Sequence, residues 1–464
     1  MSNLHTRTAT ELAQLIRDGE VSSLEVVHAH LNRIDAVNGQ VNAVTVVLEE
    51  SALAAAREAD RALAANQSSG PLHGVPFTIK ENVDCVGSAT TNGLPAFADM
   101  MPDQDAPVVA RMKNAGAIPL GRTNMPEMGL RLSTDNPLRG RTKNPWHPML
   151  TAGGSSGGDA AALATGMTPF GLGNDIGGSL RNPAYCCGIT SLKPTQGRIP
   201  HASSLDPQDA GMAVQAMLVE GPMARSVADL KLGLEILAGR DIRDPRSVDA
   251  SLKGPQPAHR RVALATEIPG KPLPIETIAA IEQAGAVLAQ AGWEVVKVTP
   301  PELERVTEVW GYLFATDFGE LVPLIAPIIT PELTEILSQL TGRYQPTISN
   351  AAVHTERSRL TRLWSAFFAD YPIVIGPTWA RLPWAYHADL SPESGLDLLT
   401  DTIRFITPGN VLGLPSVAMP MGVADGLPTG IQIYGDLWRE DLCLDAAQAI
   451  ENIVGAPMPI DPRN

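Results

Sequence analysis

The chain is poor in charged residues, aromatic residues and cysteine. Of its 464 residues, 18% are charged and 5% are aromatic, and the formal net charge is −15. No cluster of Lys and Arg is present of the kind that contacts with nucleic acid phosphates require. We therefore expect no nucleic acid partner, and a neutral or cationic small molecule is the substrate that this charge balance favours.

The few cysteines and the absence of long apolar runs exclude further classes of protein. Cys85, Cys186, Cys187 and Cys443 show neither metal-ligand spacing nor a disulfide framework, and no H-E-x-x-H motif occurs. No run of eighteen apolar residues is present, and the first residues have the pattern of an amphipathic helix instead of a signal region. We expect a cytoplasmic protein with reduced thiols, no metal, no cofactor and no membrane span.

Helix and strand patterns alternate along the chain, which predicts an α/β fold. A short apolar run at residues 75–79 stands directly before Lys80 and is typical of a buried strand. Residues 262–298 have strand, helix and strand patterns in sequence, for which parallel pairing is expected. Residues 302–370 carry long amphipathic helical patterns, which we interpret as a helical cap. We predict a single domain over residues 1–464.

The stretch GGSSGGDAAALATGMTPFGLGNDIGGS, residues 153–179, has the features of a serine hydrolase site. Glycines flank Ser155 and Ser156 and precede Ser179, so a substrate carbonyl could approach the backbone closely. Gly177 and Gly178 leave successive N–H groups free to point one way at the start of a predicted helix. Such a row of amides suits an oxyanion.

A serine hydroxyl is a poor nucleophile until a base takes its proton. The nine histidines are scattered, and none lies in a stretch otherwise marked for catalysis. Lys80 is the better candidate, because burial at the end of an apolar strand disfavours its charged form. Ser155 could then relay the proton between Ser179 and Lys80.

The glycine-rich stretch also resembles other motifs. Residues 153–157 fit the G-x-S-x-G elbow of α/β hydrolases, but that elbow needs a hydrophobic strand before it, and NPWHPMLTA supplies two prolines and a histidine. A phosphate-binding loop is excluded because no lysine follows the glycines at the required spacing. Taken alone, GGSSGG is typical of a flexible linker, and a lysine after a strand is usually a solvated edge charge. The hydrolase hypothesis therefore depends on the joint pattern.

Seven segments together resemble the amidase signature family of serine hydrolases. In chain order they are HGVPFTIKENVD, GRTNMPEMGL, GGSSGGDAAALATG, GNDIGGSLRNPA, SLKPTQGRIP, GPMARSVADL and PGNVLGLPSVAMPMG. The resemblance covers nearly the whole chain. It implies the amidase-signature fold, a central mixed twisted β-sheet flanked by helices with a helical cap over the active site.

The resemblance also implies the roles of individual residues. Ser179 corresponds to the nucleophile, Ser155 to a serine that follows a cis peptide bond, and Lys80 to the base. The backbone amides of Ile176, Gly177, Gly178 and Ser179 would form the oxyanion hole. Supporting roles are expected for Ser156, by hydrogen bonding, and for Asp175 and Arg181.

The chain departs from the family pattern at three positions. Asp159 stands where a small residue or serine is usual, Asn174 replaces a common threonine, and Ser191 replaces a glycine. None of these removes a member of the triad. We interpret Asp159 as structural, because a carboxylate near a helix N-terminus is electrostatically favourable.

The substrate is expected to be a small amide, and two groups of residues are candidates to line its pocket. The first group lies in the loops, at Asn124, Met125, Met128, Gly153 and Gly154. The second lies in the predicted cap, at Trp310, Tyr312, Leu313 and Phe314. These apolar side chains favour aryl or alkyl amides, anilides or carbamates, although they could equally pack the cap onto the body. The alternative is the A-type subunit of a tRNA-dependent amidotransferase. A monomer or homodimer is expected.

Overall fold

The computed structural model describes residues 3–67 and 70–463. In these residues eleven strands form one sheet. The strands are β1 Val44–Val47, β2 Pro76–Lys80, β3 Ile118–Thr123, β4 Phe170–Asp175, β5 Thr190–Lys193, β6 Val219–Ala224, β7 Arg261–Leu264, β8 Glu294–Lys297, β9 Ile373–Pro377, β10 Ser416–Ala424 and β11 Leu427–Gly435.

The sheet is mixed, as the sequence analysis predicted. Its strand order is β1-β3-β2-β4-β6-β5-β10-β11-β9-β7-β8. β2 pairs in parallel with β3 and β4, and β7 pairs in parallel with β8 and β9. The other neighbours are antiparallel. The parallel pairing expected for residues 262–298 is therefore confirmed.

Helices flank this sheet on both faces. They are α1 Ala9–Arg17, α2 Ser23–Val41, α3 Glu49–Ala64, α4 Pro107–Asn114, α5 Gly157–Ala164, α6 Arg181–Cys187, α7 Met212–Met217, α8 Val227–Leu237, α9 Ile275–Gln290, α10 Leu303–Ile325, α11 Pro331–Arg343, α12 Asn350–Asp370, α13 Gly395–Thr402, α14 Thr407–Val411 and α15 Glu440–Val454. Four 3-10 turns complete the helical structure, at Leu4–Thr6, Pro95–Phe97, Glu127–Gly129 and Ala388–Leu390.

The alternation of side chains along β2 decides which face of the sheet carries the site. Phe77 and Ile79 point into the apolar core that α1, α4, α8, α9 and α15 form on one face. Successive residues of a strand point to opposite faces, so Thr78 and Lys80 point to the other face, where α5 and α6 pack. All five residues of β2 are buried.

Residues 302–370 form three long helices, α10, α11 and α12, which share an apolar cluster with α13 and α14. Trp310 of α10 lies against the loop between β4 and α6, since a Cβ added to Gly177 would be 3.5 Å from the Trp310 ring. The helical pattern of this stretch is therefore confirmed, and its role as a cap stays a prediction. None of the helices in the described ranges combines the length and the hydropathy that crossing a bilayer requires.

Candidate active site

Lys80 ends β2 with its side chain completely buried. Its Nζ lies 2.6 Å from the Oγ of Ser155 and 2.7 Å from the Oδ1 of Asn174, close enough to hydrogen bond with both. Burial lowers the pKa of the Lys80 amine to about 8, and the nearby carboxylate of Asp159 opposes part of this shift. A substantial fraction of the amine is therefore neutral near physiological pH, which is the form that can accept a proton.

The two predicted reactive serines lie in loops that precede helices. Ser155 follows a cis peptide bond with Gly154 and stands just before α5, and Ser179 stands just before α6. The Ser156 amide donates a hydrogen bond of 3.2 Å to the carbonyl oxygen of Ser179. The backbones of the two loops are therefore joined beside Ser155, and Ser155 in turn contacts Lys80.

Ser156, which was expected to support the site by hydrogen bonding, does so with its main-chain amide. Its Oγ is buried and has no hydrogen-bonding partner among residues 3–67 and 70–463. A Cβ on Gly173 would lie 2.6 Å from this Oγ, which shows that the side chain is packed against the backbone of β4. Ser156 therefore supports the site through its main-chain amide.

Asp175, the last residue of β4, organises the loop that leads to Ser179. Its carboxylate accepts hydrogen bonds from the amides of Gly178 (2.8 Å) and Leu180 (3.2 Å) and from the Asn410 side chain (2.8 Å). Arg181 donates to both carboxylate oxygens at 3.0 Å. Burial alone would raise the pKa of Asp175, but the paired guanidinium outweighs this effect and holds the pKa well below its usual range. The loop is therefore anchored on a fully buried ion pair.

The same hydrogen bonds reduce the set of oxyanion donors that was expected. The Gly178 amide donates to Asp175 and is no longer free for a substrate. None of the hydrogen bonds within the described part of the chain uses the amides of Ile176, Gly177 or Ser179. Gly178 has a φ of 97°, and a Cβ there would lie 2.4 Å from Asn182, so glycine is required for the turn. Three amides, instead of four, remain as candidate donors.

Asn182 was missed by the sequence analysis. Its Nδ2 donates to the carbonyl oxygens of Gly154 (3.3 Å) and Gly177 (3.1 Å), so one side chain bridges both active-site loops. Its Oδ1 accepts a hydrogen bond of 2.7 Å from the indole of Trp379. The only local signal was an asparagine in the first turn after Ser179, which is too common a feature to identify a bridging role.

Asn174 was noted only as a departure from the family pattern, yet it contacts Lys80. Besides its contact with Lys80, its Nδ2 donates a hydrogen bond of 3.1 Å to Asn82. Asn174 is buried. The amide therefore fixes the direction in which the Lys80 amine points.

The side chain of Asn124 is held by neighbouring segments of the chain. Its Nδ2 donates to the Gly140 carbonyl (2.8 Å) and to the Thr142 hydroxyl (3.0 Å), and its Oδ1 accepts from the Met125 amide (3.0 Å) and from Asn136 (2.8 Å). Both polar ends of the side chain are used within the protein. Asn124 therefore fastens this loop, and its place in the substrate pocket stays a prediction.

The two methionines of this loop have different surroundings. A Cβ added to Gly129 would be 3.3 Å from the Ser155 Oγ and 3.5 Å from the Met125 Cε, so Met125 packs close to the site. Met128 is half-buried and packs with the helical cluster of α10 to α14. Both positions remain compatible with a contact to substrate.

Gly153 and Gly154 are needed for close packing. A Cβ at Gly153 would lie 2.5 Å from the Cα of Pro183, and a Cβ at Gly154 would lie 2.6 Å from the carbonyl oxygen of Arg131. Both contacts are far below what a real side chain tolerates. Gly153 and Gly154 are therefore required for the packing of the loop. Their expected contact with substrate stays a prediction.

The four apolar residues predicted in α10 are all buried but do not share one environment. Trp310 stacks on Phe314, with ring centroids 5.4 Å apart, and Phe314 stacks on Phe318 at 3.9 Å. The Trp310 Nε1 is buried without a hydrogen-bonding partner in the described ranges. The Tyr312 hydroxyl instead donates to Glu308. The aromatic row that begins beside Gly177 is therefore Trp310, Phe314 and Phe318.

Comparison with known proteins identifies the family of the chain. Residues 25–444 match the Amidase family. The chain belongs to the amidase signature family. A crystal structure of a bacterial aryl acylamidase of this family superposes with a TM-score of 0.83 at 27% identity, covering 97% of both chains.

Three relatives that are similar to this chain over most of its length have different activities. An indoleacetamide hydrolase of Bradyrhizobium diazoefficiens is 41% identical over 97% of this chain and 86% of its own length. An acylamidase of Rhodococcus erythropolis is 34% identical over 97% of this chain and 96% of its own. The A-type subunit of the glutamyl-tRNA(Gln) amidotransferase of Salinispora tropica is 32% identical over 99% of both.

This amidase hydrolyses the C–N bonds of small-molecule amides. Within residues 3–67 and 70–463, no three His, Cys, Asp or Glu side chains are grouped so that they could hold a metal ion. The four cysteines are all free and buried. The chemical groups gathered at the site are an amine, hydroxyls and backbone amides.

Proposed function

We propose that this amidase hydrolyses carboxamides with an aromatic acyl group through an acyl-enzyme on Ser179. The observation that carries the proposal is the buried contact of 2.6 Å between the Lys80 amine and the Ser155 hydroxyl. A base of lowered pKa within hydrogen-bond reach of a hydroxyl is what nucleophilic catalysis by serine requires.

The reaction proceeds in two stages. The Ser179 oxygen attacks the amide carbon as its proton passes to Ser155, and Ser155 gives its own proton to the neutral Lys80. The free amides of Ile176, Gly177 and Ser179 stabilise the negative charge on the former carbonyl oxygen. The C–N bond then breaks, and the nitrogen leaves with the proton that returns from Lys80. Water releases the acyl group as a carboxylic acid by the same proton path.

The aromatic substrate class rests on the residues beside the oxyanion loop. Trp310 packs against Gly177, and Phe314 and Phe318 continue an aromatic row away from it. An acyl group bound with its carbonyl at the loop would meet this row, and aromatic rings stack favourably on one another. The relative that is 41% identical is an indoleacetamide hydrolase, which supports arylacetamides as the first substrates to test. Anilides, whose ring lies on the leaving nitrogen, and aryl carbamates are compared with them in the same assay.

The alternative is the A-type subunit of a tRNA-dependent amidotransferase, which the relative of 32% identity favours. Against it stands the net charge of −15, since docking to tRNA needs a positive surface. We propose that the chain acts alone, as a monomer or homodimer without nucleic acid. We also propose a cytoplasmic location, for which the free thiols are the support.

A panel of amides tests the proposal. Purified protein is assayed with indole-3-acetamide, phenylacetamide, 4-nitroacetanilide, an aryl carbamate, acetamide and glutamine, and a fluorophosphonate label is mapped by mass spectrometry. We expect the highest kcat/KM with the arylacetamides, labelling at Ser179 and no turnover by Ser179→Ala. A label on another serine, or full turnover by Ser179→Ala, would refute the acyl-enzyme. Glutamine as the preferred substrate would favour the alternative.

A further inference from the structure

Asp159 lies on the same face of the sheet as the Lys80 side chain, and its charge acts on the Lys80 amine. It is the third residue of α5 and is completely buried. Its Oδ2 accepts a hydrogen bond of 2.7 Å from Thr123, which pairs with Lys80 across β2 and β3, and its Oδ1 accepts one of 3.3 Å from Thr78. Thr78 is two residues before Lys80 and so points to the same face. Both threonines point to the same face as Lys80, so the carboxylate lies on that face, near enough for its charge to raise the pKa of Lys80.

The space around this carboxylate is closed. A Cβ on Gly171 of β4 would lie 3.0 Å from the Asp159 Oδ1. Other fully buried carboxylates, Asp175 and Glu440, are each paired with an arginine at 3.0 and 2.9 Å. The ion pairs within the described residues do not include Asp159. Burial raises the pKa of Asp159, and the nearby charge of Lys80 opposes that shift.

Two further carboxylates face Lys80, but each has a partner of its own. Glu220 of β6 is hydrogen-bonded to His201 at 2.7 Å. Asp175 of β4 is paired with Arg181. The carboxylate near Lys80 that has neither an arginine nor a histidine as partner is therefore that of Asp159.

One cation besides Lys80 is close to Asp159. Arg122 of β3 is buried and lowers the pKa of Asp159 through its charge. Its guanidinium, however, donates to the carbonyl oxygens of Ile79, Lys80 and Val83. Because these contacts hold Arg122 in place, its charge acts on Asp159 in the same way whether Lys80 is neutral or protonated.

We propose that Asp159 is a positioning residue that stabilises the ammonium ion formed when Lys80 accepts the proton of Ser179. This inference rests on the proposed function. Above about pH 8, before the attack, Asp159 is ionised and Lys80 is neutral. As the Ser179 oxygen bonds to the carbonyl carbon, Ser155 passes one proton to the Lys80 Nζ, and the carboxylate takes up none. A buried opposite charge favours the new ammonium, much as a buried aspartate stabilises the imidazolium of a Ser-His-Asp triad.

The proposal predicts how the pH profile changes when the charge is removed. Activity of the natural protein falls as the pH drops below about 8, because protonation of Lys80 removes the base. Asp159→Asn no longer stabilises the ammonium, so the pKa of Lys80 falls further. The acidic limb of kcat/KM should therefore move to lower pH by about 1 to 3 units. The plateau kcat should fall by about tenfold, since a weaker base accepts the proton less readily.

The experiment compares Asp159→Asn with Asp229→Asn. Asp229 is also a buried carboxylate with a raised pKa, but it binds the amides of Ala9 and Thr10 at the start of α1. Its loss should lower the melting temperature without moving the acidic limb. Asp159→Ser is made in parallel as a second charge-free variant, in case the asparagine variant does not fold. The rate of fluorophosphonate labelling at each pH gives a second readout that needs no amide substrate.

The outcomes separate this inference from the proposed function. If Ser179→Ala and Lys80→Met lose turnover but both Asp159 variants keep the natural acidic limb, this inference is wrong and the proposed function stands. If Ser179→Ala and Lys80→Met keep turnover, the proposed function is wrong. An acidic limb that moves down in pH for Asp159→Asn or Asp159→Ser but not for Asp229→Asn supports the inference.

Discussion

The Nζ of Lys80 lies 2.6 Å from the Oγ of Ser155, and both side chains are shielded from solvent, with residues 0% and 2% exposed. An ordinary surface lysine would hold its proton at neutral pH and could not act as a base. Here burial at the end of β2 disfavours the charged form, while the contact with Ser155 gives the neutral amine a proton donor. The position of Lys80 at the end of β2 therefore both lowers the pKa of its amine and brings the amine within hydrogen-bond reach of Ser155.

Replacing Lys80 by methionine should remove the base and keep most of the buried volume. We expect kcat to fall by a factor of about 10² to 10⁴ or more, the range for loss of a general base. The matched control is Lys113→Met, which removes a lysine paired with Asp105 at 2.8 Å. Its kcat should stay close to that of the natural protein. Circular dichroism of both variants checks folding, and near-natural turnover by Lys80→Met would eliminate the base assignment.

Several features of the site follow from short stretches of sequence. The apolar run before Lys80 predicts a buried strand that delivers a lysine, because the pattern and its consequence are local. The glycines around Ser155 and Ser179 predict close backbone approach for the same reason. The predicted helices of residues 302–370 are likewise present as α10, α11 and α12.

Other features depend on contacts between distant segments, and no local pattern reveals them. The Asn182 side chain bridges Gly154 and Gly177 only because α6 packs against the loop before α5. Asn124 was expected to line the substrate pocket, and its polar atoms are used by residues up to eighteen positions away. The Gly178 amide is taken by Asp175, which a row of glycines alone does not indicate.

Replacing Asp175 by asparagine should affect stability and catalysis together. Arg181 would keep a buried charge without its partner, which typically costs about 3 to 5 kcal/mol of unfolding free energy. The loop amides that Asp175 holds would also lose their anchor, so kcat should fall. The depressed pKa of Asp175 means that its contribution to stability is present at neutral pH and is lost as the pH falls through its native-state value.

The matched control for this variant is Glu440→Gln. Glu440 and Arg198 form another fully buried pair, at 2.9 Å, and neither residue belongs to the site. Urea denaturation should show a similar loss of stability for both variants, whereas kcat should fall only for Asp175→Asn. An equal loss of kcat in both would mean that general destabilisation, and not the loop, explains the effect.

Trp310 is the residue on which the aromatic substrate class depends most directly. Its ring lies against Gly177 and stacks on Phe314, so the aromatic ring of a bound acyl group would meet it. Trp310→Phe keeps a ring beside Gly177 but reduces the area available for stacking, which acetamide, without a ring, does not use. We expect KM for indole-3-acetamide to rise by about tenfold, corresponding to about 1.4 kcal/mol of lost binding, with little change for acetamide. Trp364→Phe is the control, because its indole already donates to Pro301 at 2.9 Å. Trp364→Phe should lower the melting temperature and leave the ratio of kcat/KM for indole-3-acetamide to kcat/KM for acetamide unchanged. If Trp310→Phe also leaves this ratio unchanged, Trp310 takes no part in substrate recognition.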